Sequence, residues 1–352
     1  MRSRTSRVAA LAALLWLAAP VLGADGPSEE GQALDVGQVS ADQRRRLVAG
    51  DTISYQVSET SETELGAGVA MYLPVPIARV AEVLTGADLV LQDAGIVASG
   101  SIPADAAGPA AIGFRLGANE SGEAQEALDA APGSRFNLAP PEIDAFHAVK
   151  AALRSGDRGA SVEAASGQWR ALIFQRWQAF QARGLDGVAP YARSRGVSDP
   201  AALLRVAAGD ARILASYAPR LGEALLRYPA EQNPTARSRF YWVKRQVQGR
   251  PTPILIHHLV DVGPTLVLYV ERHVYVGHTY NASQILSAAV PYESGVLIFS
   301  SNRVSTDQVA GLGGDMKRMI GRRQLRGEIV KRFDRIRAAV LRAAPPVRVE
   351  SP

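Results

Sequence analysis

The sequence predicts an α+β protein: an antiparallel sheet, one long C-terminal helix and a helical insertion. Three observations predict it. The C-terminal third runs through several β-branched and aromatic stretches separated by Gly and Pro, as in an antiparallel meander. The chain then ends in a long segment with Met316, Ile320, Leu325, Ile329, Phe333, Ile336 and Val340 at helical spacing. The middle, residues 141–230, is helical in pattern instead. The chain has 352 residues, 47% hydrophobic and 21% charged, which excludes a disordered or collagen-like polymer. It has no cysteine, which excludes disulfides, thiolate metal sites, thiol nucleophiles and a lipid-modified cysteine.

The N-terminus reads as an export signal. Arg2, Arg4 and Arg7 precede an uncharged stretch, Val8 to Ala19, and Pro20 leads to small residues at Gly23 and Ala24. That is the layout of a cleaved secretory signal peptide, residues 1–24. The apolar run is short of the roughly 20 residues of a spanning helix. A periplasmic or secreted location is therefore expected. Removing the signal lowers the net charge from +5 to +2, so the basic isoelectric point says little about nucleic acid, and no nucleic-acid partner is expected. The remaining charge is uneven. Residues 315–348 carry eleven basic and three acidic residues, leaving an acidic body.

Residues 25–39 form a polar linker, 40–140 an N-terminal α+β part, 141–230 the helical block, and 231–345 the meander with its terminal helix. Ser40 and Gln43 are spaced as a capping box and open a short helix through Val48. Thr52–Thr60 and Gly66–Leu73 read as paired strands, and Pro74–Leu84 as a helix stopped by Gly86. Two short strands are expected within 92–118, around Ile96–Ala98 and Ala111–Phe114, and an exposed loop over 119–133. Pro141–Leu153 and the stretch bearing Trp169, Ile173, Trp177 and Phe180 read as helices, the latter closed by Gly184. Asp199-Pro200 caps another, and Arg220–Arg227 forms a last short one. Strands follow at 239–247, 253–262, 265–276, 278–290 and 295–304. Ser305 or Thr306 is placed to cap the long helix, flexed at Gly311, Gly313 and Gly314.

The segment Pro74-Val-Pro-Ile-Ala-Arg-Val-Ala-Glu-Val-Leu84, followed much later by a meander and one long helix, resembles the START-like (polyketide cyclase and lipid-transfer) helix-grip superfamily. The resemblance touches roughly 50–115 and 238–342. It implies a curved sheet gripping a long helix, with a lipid or other apolar ligand held between them. The helical block departs from that pattern as an insertion. The chain also resembles exported bacterial proteins, a likeness that assigns no function.

Four of the five histidines fall within 22 residues: His257, His258, His273 and His278. A two-residue turn at Gly263-Pro264 would pair Val262 with Thr265 and His258 with Tyr269. His258, Tyr269, Glu271, His273 and Tyr275 would then share one sheet face. Leu255, Leu259, Leu266, Leu268, Val270, Val274 and Val276 would share the other. His258, Glu271, His273 and His278 are the candidate acid–base groups, and Tyr269 and Tyr275 candidate ligand-lining residues. Their spacing fits no recognised zinc pattern, and neither a metal nor a cofactor is expected. A sheet face with His and Tyr is more often a hydrogen-bonded or half-exposed surface, and a one-residue slip in register would separate these residues. Arg322, Arg323 and Arg326 on the last helix either lie in solvent or meet an anionic membrane surface or an acidic envelope partner. There is no P-loop, Gly-x-Ser-x-Gly elbow or His-Glu-x-x-His motif. Ligand binding, an envelope interaction role and catalysis on the histidine face all stay open.

Overall fold

The computed structural model describes residues 39–342, except 87–90, 92, 94, 134, 155–156, 231–233 and 312. The segment expected as a signal peptide, and nearly all of that expected as a linker, lie outside the described residues. Helix α1 (Ala41–Val48) begins with the expected reciprocal cap: Gln43 N donates to Ser40 Oγ at 3.1 Å, and Ser40 N donates to Gln43 Oε1 at 3.0 Å. Strands β1 (Ile53–Tyr55) and β2 (Glu64–Leu73) pair antiparallel. Helix α2 (Ile77–Gly86) follows, then β3 (Ile96–Ile102).

The helical block comprises α3 (Ser121–Leu128), α4 (Pro140–Ala151), α5 (Arg158–Arg183), α6 (Pro200–Gly209), α7 (Arg212–Tyr217) and α8 (Pro219–Arg227), with a small ribbon of β4 (Tyr191–Ala192) and β5 (Val197–Ser198). The meander is β6 (Ala236–Val247), β7 (Arg250–Val262), β8 (Val267–Val276), β9 (Ala282–Tyr292) and β10 (Gly295–Ser305). Helix α9 (Gly314–Arg342) closes the described chain. Among the described residues no helix is long and apolar enough to cross a membrane.

Eight strands form one antiparallel sheet in the order β1-β2-β10-β9-β8-β7-β6-β3. Strands β3 and β6 are hydrogen-bonded neighbours, so the whole helical block is an insertion between two paired strands. Both sheet faces are covered. On one, α2 and α9 place Val80, Leu84, Ile329, Phe333, Ile336 and Val340 against Val69, Ile254, Ile256 and Ile298. On the other, α3–α5 place Phe146, Trp169, Trp177 and Phe180 against Phe240, Trp242 and Leu255. Helices α6–α8 extend that layer over Leu259, Leu268, Val270 and Leu286. This double cover explains why β2 and β8 are buried along their whole length, where a sheet with one wet face would alternate.

Three local expectations fail. Residues 109–111 form a 3-10 turn rather than the start of a second short strand. The small polar stretch expected as an exposed loop contains α3, whose Ala124, Ala127 and Leu128 are buried against the block. Small alanines pack closely there, and eight residues with a single large apolar side chain carry little helical periodicity. The long helix begins at Gly314, later than expected, because Thr306 instead caps a separate 3-10 turn, Asp307–Val309. Gly311 and Gly313 both adopt positive φ in the intervening link.

A buried charge network beneath the long helix

The β7–β8 register differs from the sequence expectation. Gly263 N donates to the Leu266 carbonyl at 2.8 Å, so the turn spans four residues rather than two. Val262 therefore pairs with Val267, and His258 with Glu271. A shift of two residues preserves the face of every side chain. His258, Tyr269, Glu271 and His273 do share the face under α9. Tyr275 does not. The register slips between Leu255 and Ile256, and this bulge turns Val274 and Tyr275 both toward the helical block, while Val276 joins the α9 side.

The α9-side residues form one connected cluster. Tyr269 donates its hydroxyl proton to Glu271 Oε2 at 2.7 Å. Glu271 Oε1 lies 2.8 Å from His273 Nε2, and His273 Nδ1 lies 2.8 Å from the Tyr280 hydroxyl. Arg332, reaching in from α9, donates Nη2 to Glu271 Oε2 at 2.5 Å and also to the Tyr269 oxygen. Its guanidinium carbon stands 4.8 Å from the Tyr269 ring centre, within cation–π range. His258 packs beside this group, its ring tilted at 56° and 4.6 Å from that of Tyr269.

Burial opposes the charged form of Glu271, but Arg332 and His273 outweigh it and hold the carboxyl well below its usual range. Burial pushes the Tyr269 hydroxyl well above its ordinary value, against the pull of Arg332. Glu271 is therefore an anion and Tyr269 a neutral donor. Both ring nitrogens of His273 are engaged, one by a carboxylate and one by a phenol. A general base needs a nitrogen within reach of a substrate proton, and here each is occupied by protein. A buried polar network fixes geometry, and this one pins α9 to β8.

The other sequence candidates lie elsewhere. His278 faces the block, with Nε2 2.9 Å from Thr252 Oγ1 and Nδ1 2.6 Å from Thr279 Oγ1. Burial, then the nearby Arg250, lowers it to about 3, so it stays neutral. The Tyr275 ring lies under the Arg176 guanidinium at 4.5 Å, and Arg176 is clamped by Glu142 through two bonds of 2.8 Å. Arg322 is paired with Glu59, whereas Arg323 and Arg326 are exposed and have no carboxylate partner among the described residues. No group of three or more His, Asp or Glu able to hold a metal ion occurs among the described residues.

Beside the network lies a narrow pocket between the sheet, α2 and α9, with an enclosed free volume of about 10 Å³. Leu84, Val267, Ala289, Ile298 and Ile336 make its apolar wall, and Tyr269, Ser287 and Arg332 its polar end. Arg332 commits Nη2 to Glu271 and Tyr269, and among the described residues no acceptor bonds its Nε or Nη1. In the sequence Arg332 is one of the eleven bases of residues 315–348 and is not among the candidate site residues. The signal that marks it is its position: three residues after Ile329 and four before Ile336, it falls on the buried stripe. Tyr280, Ser287 and Leu84 carry no such signal.

No protein-family model, curated protein or solved structure matches the chain.

Proposed function

We propose that this chain is an exported envelope protein that binds a small amphipathic molecule between its sheet and α9, without transforming it. The observation that carries this reading is the pocket beside the network: apolar along its length, with hydrogen-bond donors at one end. Its enclosed free volume of about 10 Å³ is about that of one water, far under the ~300–1,000 Å³ usual for small-molecule sites, so a ligand enters by parting α9 from the sheet. The ligand is accordingly a single short chain or ring, not a two-tailed phospholipid. The free donors of Arg332 favour an accepting head, such as a carboxylate. The saturated hydrogen bonding of His273 favours binding over acid–base chemistry. The N-terminal pattern supports export, and the helix-grip resemblance of the sequence supports a ligand in this place.

Titration calorimetry with octanoate and 1-octanol tests the reading. Octanoate binds the wild-type chain, octanol binds more weakly, and Ala289→Phe, which fills the pocket, abolishes both. Octanoate that fails to bind, or that binds Ala289→Phe unchanged, refutes it.

A second reading rests on a different observation. The first half of α9 contains no buried residue, and Met316, Met319 and Ile320 stand exposed on the side away from the core. Lys317, Arg323 and Arg326 flank them. An apolar stripe edged by bases is the pattern of a helix that lies on an anionic lipid surface. This surface role is compatible with ligand binding at the other end of the same helix.

A further inference from the structure

On the opposite face of the sheet, away from α9, lies a second cavity system. Strands β9 and β10 make its floor. The end of α6 with α7 forms one wall, and the chain just after β1 forms the other. The outer cleft has a free volume of about 90 Å³, and the adjoining inner one about 10 Å³, room for a single hydroxyl or water. The two share Ala207, Gln284 and Arg303.

Two buried polar atoms of residues lining these cavities have no hydrogen-bond partner among the described residues: Gln284 Oε1 and Ser305 Oγ. Their residues are 3% and 4% exposed. The orientation of the Gln284 amide is fixed, because its Nε2 donates to the Ala207 carbonyl at 2.8 Å. Flipping it would set two acceptors face to face, so the orphaned group is the oxygen. A buried acceptor left unsatisfied is destabilising, and such atoms are rare in native proteins.

The charged groups alongside are already paired. Arg303 donates to both oxygens of Glu64, at 2.6 and 3.0 Å, and reaches Asp210 at 3.4 Å. What the site lacks is neutral: a donor for an amide oxygen and a partner for a hydroxyl. Leu286 and Phe299 supply apolar surface beside them.

We infer that this cleft is a second ligand site, for a small neutral polyhydroxylated molecule of about monosaccharide size. A ligand hydroxyl donates to Gln284 Oε1, another exchanges a hydrogen bond with Ser305 Oγ, and a ring face rests on Phe299. A carboxylate ligand would meet Glu64 and Asp210 and is disfavoured, and an apolar one would leave both orphans unsatisfied.

Saturation-transfer NMR on the full chain tests this with glucose, galactose, mannitol and myo-inositol as probes. At least one probe receives saturation. Gln284→Leu weakens its binding by about tenfold or more, the worth of one buried hydrogen bond. Ile213→Trp, which blocks the rim from α7, abolishes it. Ile213 is only partly buried, so that variant keeps the test open if Gln284→Leu does not fold. Saturation of none of the four probes, or binding that survives the variants that fold, overturns the assignment.

Discussion

Removing Glu271 should be far more damaging than removing an ordinary surface carboxylate. Its side chain and that of Arg332 are 6% and 13% exposed. Glu271→Leu strands a guanidinium beneath α9 and orphans the Tyr269 hydroxyl and His273 Nε2. Breaking a buried pair from one side costs about 3–5 kcal/mol. Arg332→Met strands the carboxylate instead, at a similar expected loss. The double variant leaves no unpaired charge, and its expected loss is that of the two neutral orphans, about 1–3 kcal/mol each at most. Glu271→Leu alone already leaves both orphans and adds the stranded guanidinium, so the double variant is predicted to be no less stable than Glu271→Leu. The coupling between the sites should be at least ~2 kcal/mol. Urea unfolding followed by circular dichroism measures this. With a slope near the upper end of ~1–3 kcal/mol/M, the single variants should lower the midpoint by about 1 M or more. A single variant costing under ~1 kcal/mol, as an exposed pair would, refutes the burial of the network. Strictly additive losses refute its connectivity.

Acid should destabilise the fold through His278. It is held near 3 when folded and returns to about 6.5 when unfolded. The unfolded chain therefore binds an extra proton between those values, and stability falls as pH drops through that window. The loss is about 2 kcal/mol between pH 7 and 5. His278→Gln should flatten the stability–pH profile by one proton, and an unchanged slope contradicts the assignment. Gly184 closes α5 at φ +58, and a Cβ there would collide with the Tyr228 carbonyl oxygen. Gly184→Ala should cost more than ~2 kcal/mol in thermal unfolding, and a loss within the ~0.5 kcal/mol of neutral surface changes would contradict the close approach. Sedimentation with vesicles rich in phosphatidylglycerol should carry the chain down, and replacing Met316, Met319 and Ile320 by Gln should release it without changing its melting temperature. Equal sedimentation of the triple variant, or of wild-type protein with purely zwitterionic vesicles, would argue against the α9 surface reading.

Much of the architecture was legible because it rests on local signals. The Ser40–Gln43 box, the Asp199-Pro200 cap and the glycine after α5 appear where side-chain chemistry demands them. The five meander strands and α9 followed from runs long enough for their period to show. What failed was non-local or short. Nothing in the β7 and β8 sequences announces a four-residue turn over a two-residue one. The Val274–Tyr275 bulge, which sends Tyr275 to the far face, arises from pairing with β7. Helix α3 is only eight residues long and buries alanines rather than large apolar side chains. The histidine face was found through its alternation, but its meaning depended on α9. Arg332 turns His258, Tyr269, Glu271 and His273 from a half-wet surface into a closed network.

Native mass spectrometry of the chain purified from its own host, before and after organic extraction, tests the central claim most directly. The account predicts a mass excess of one small organic molecule that disappears on extraction and is missing from Ala289→Phe. A bare polypeptide mass before extraction, or an excess that Ala289→Phe retains, would contradict a ligand between the sheet and α9.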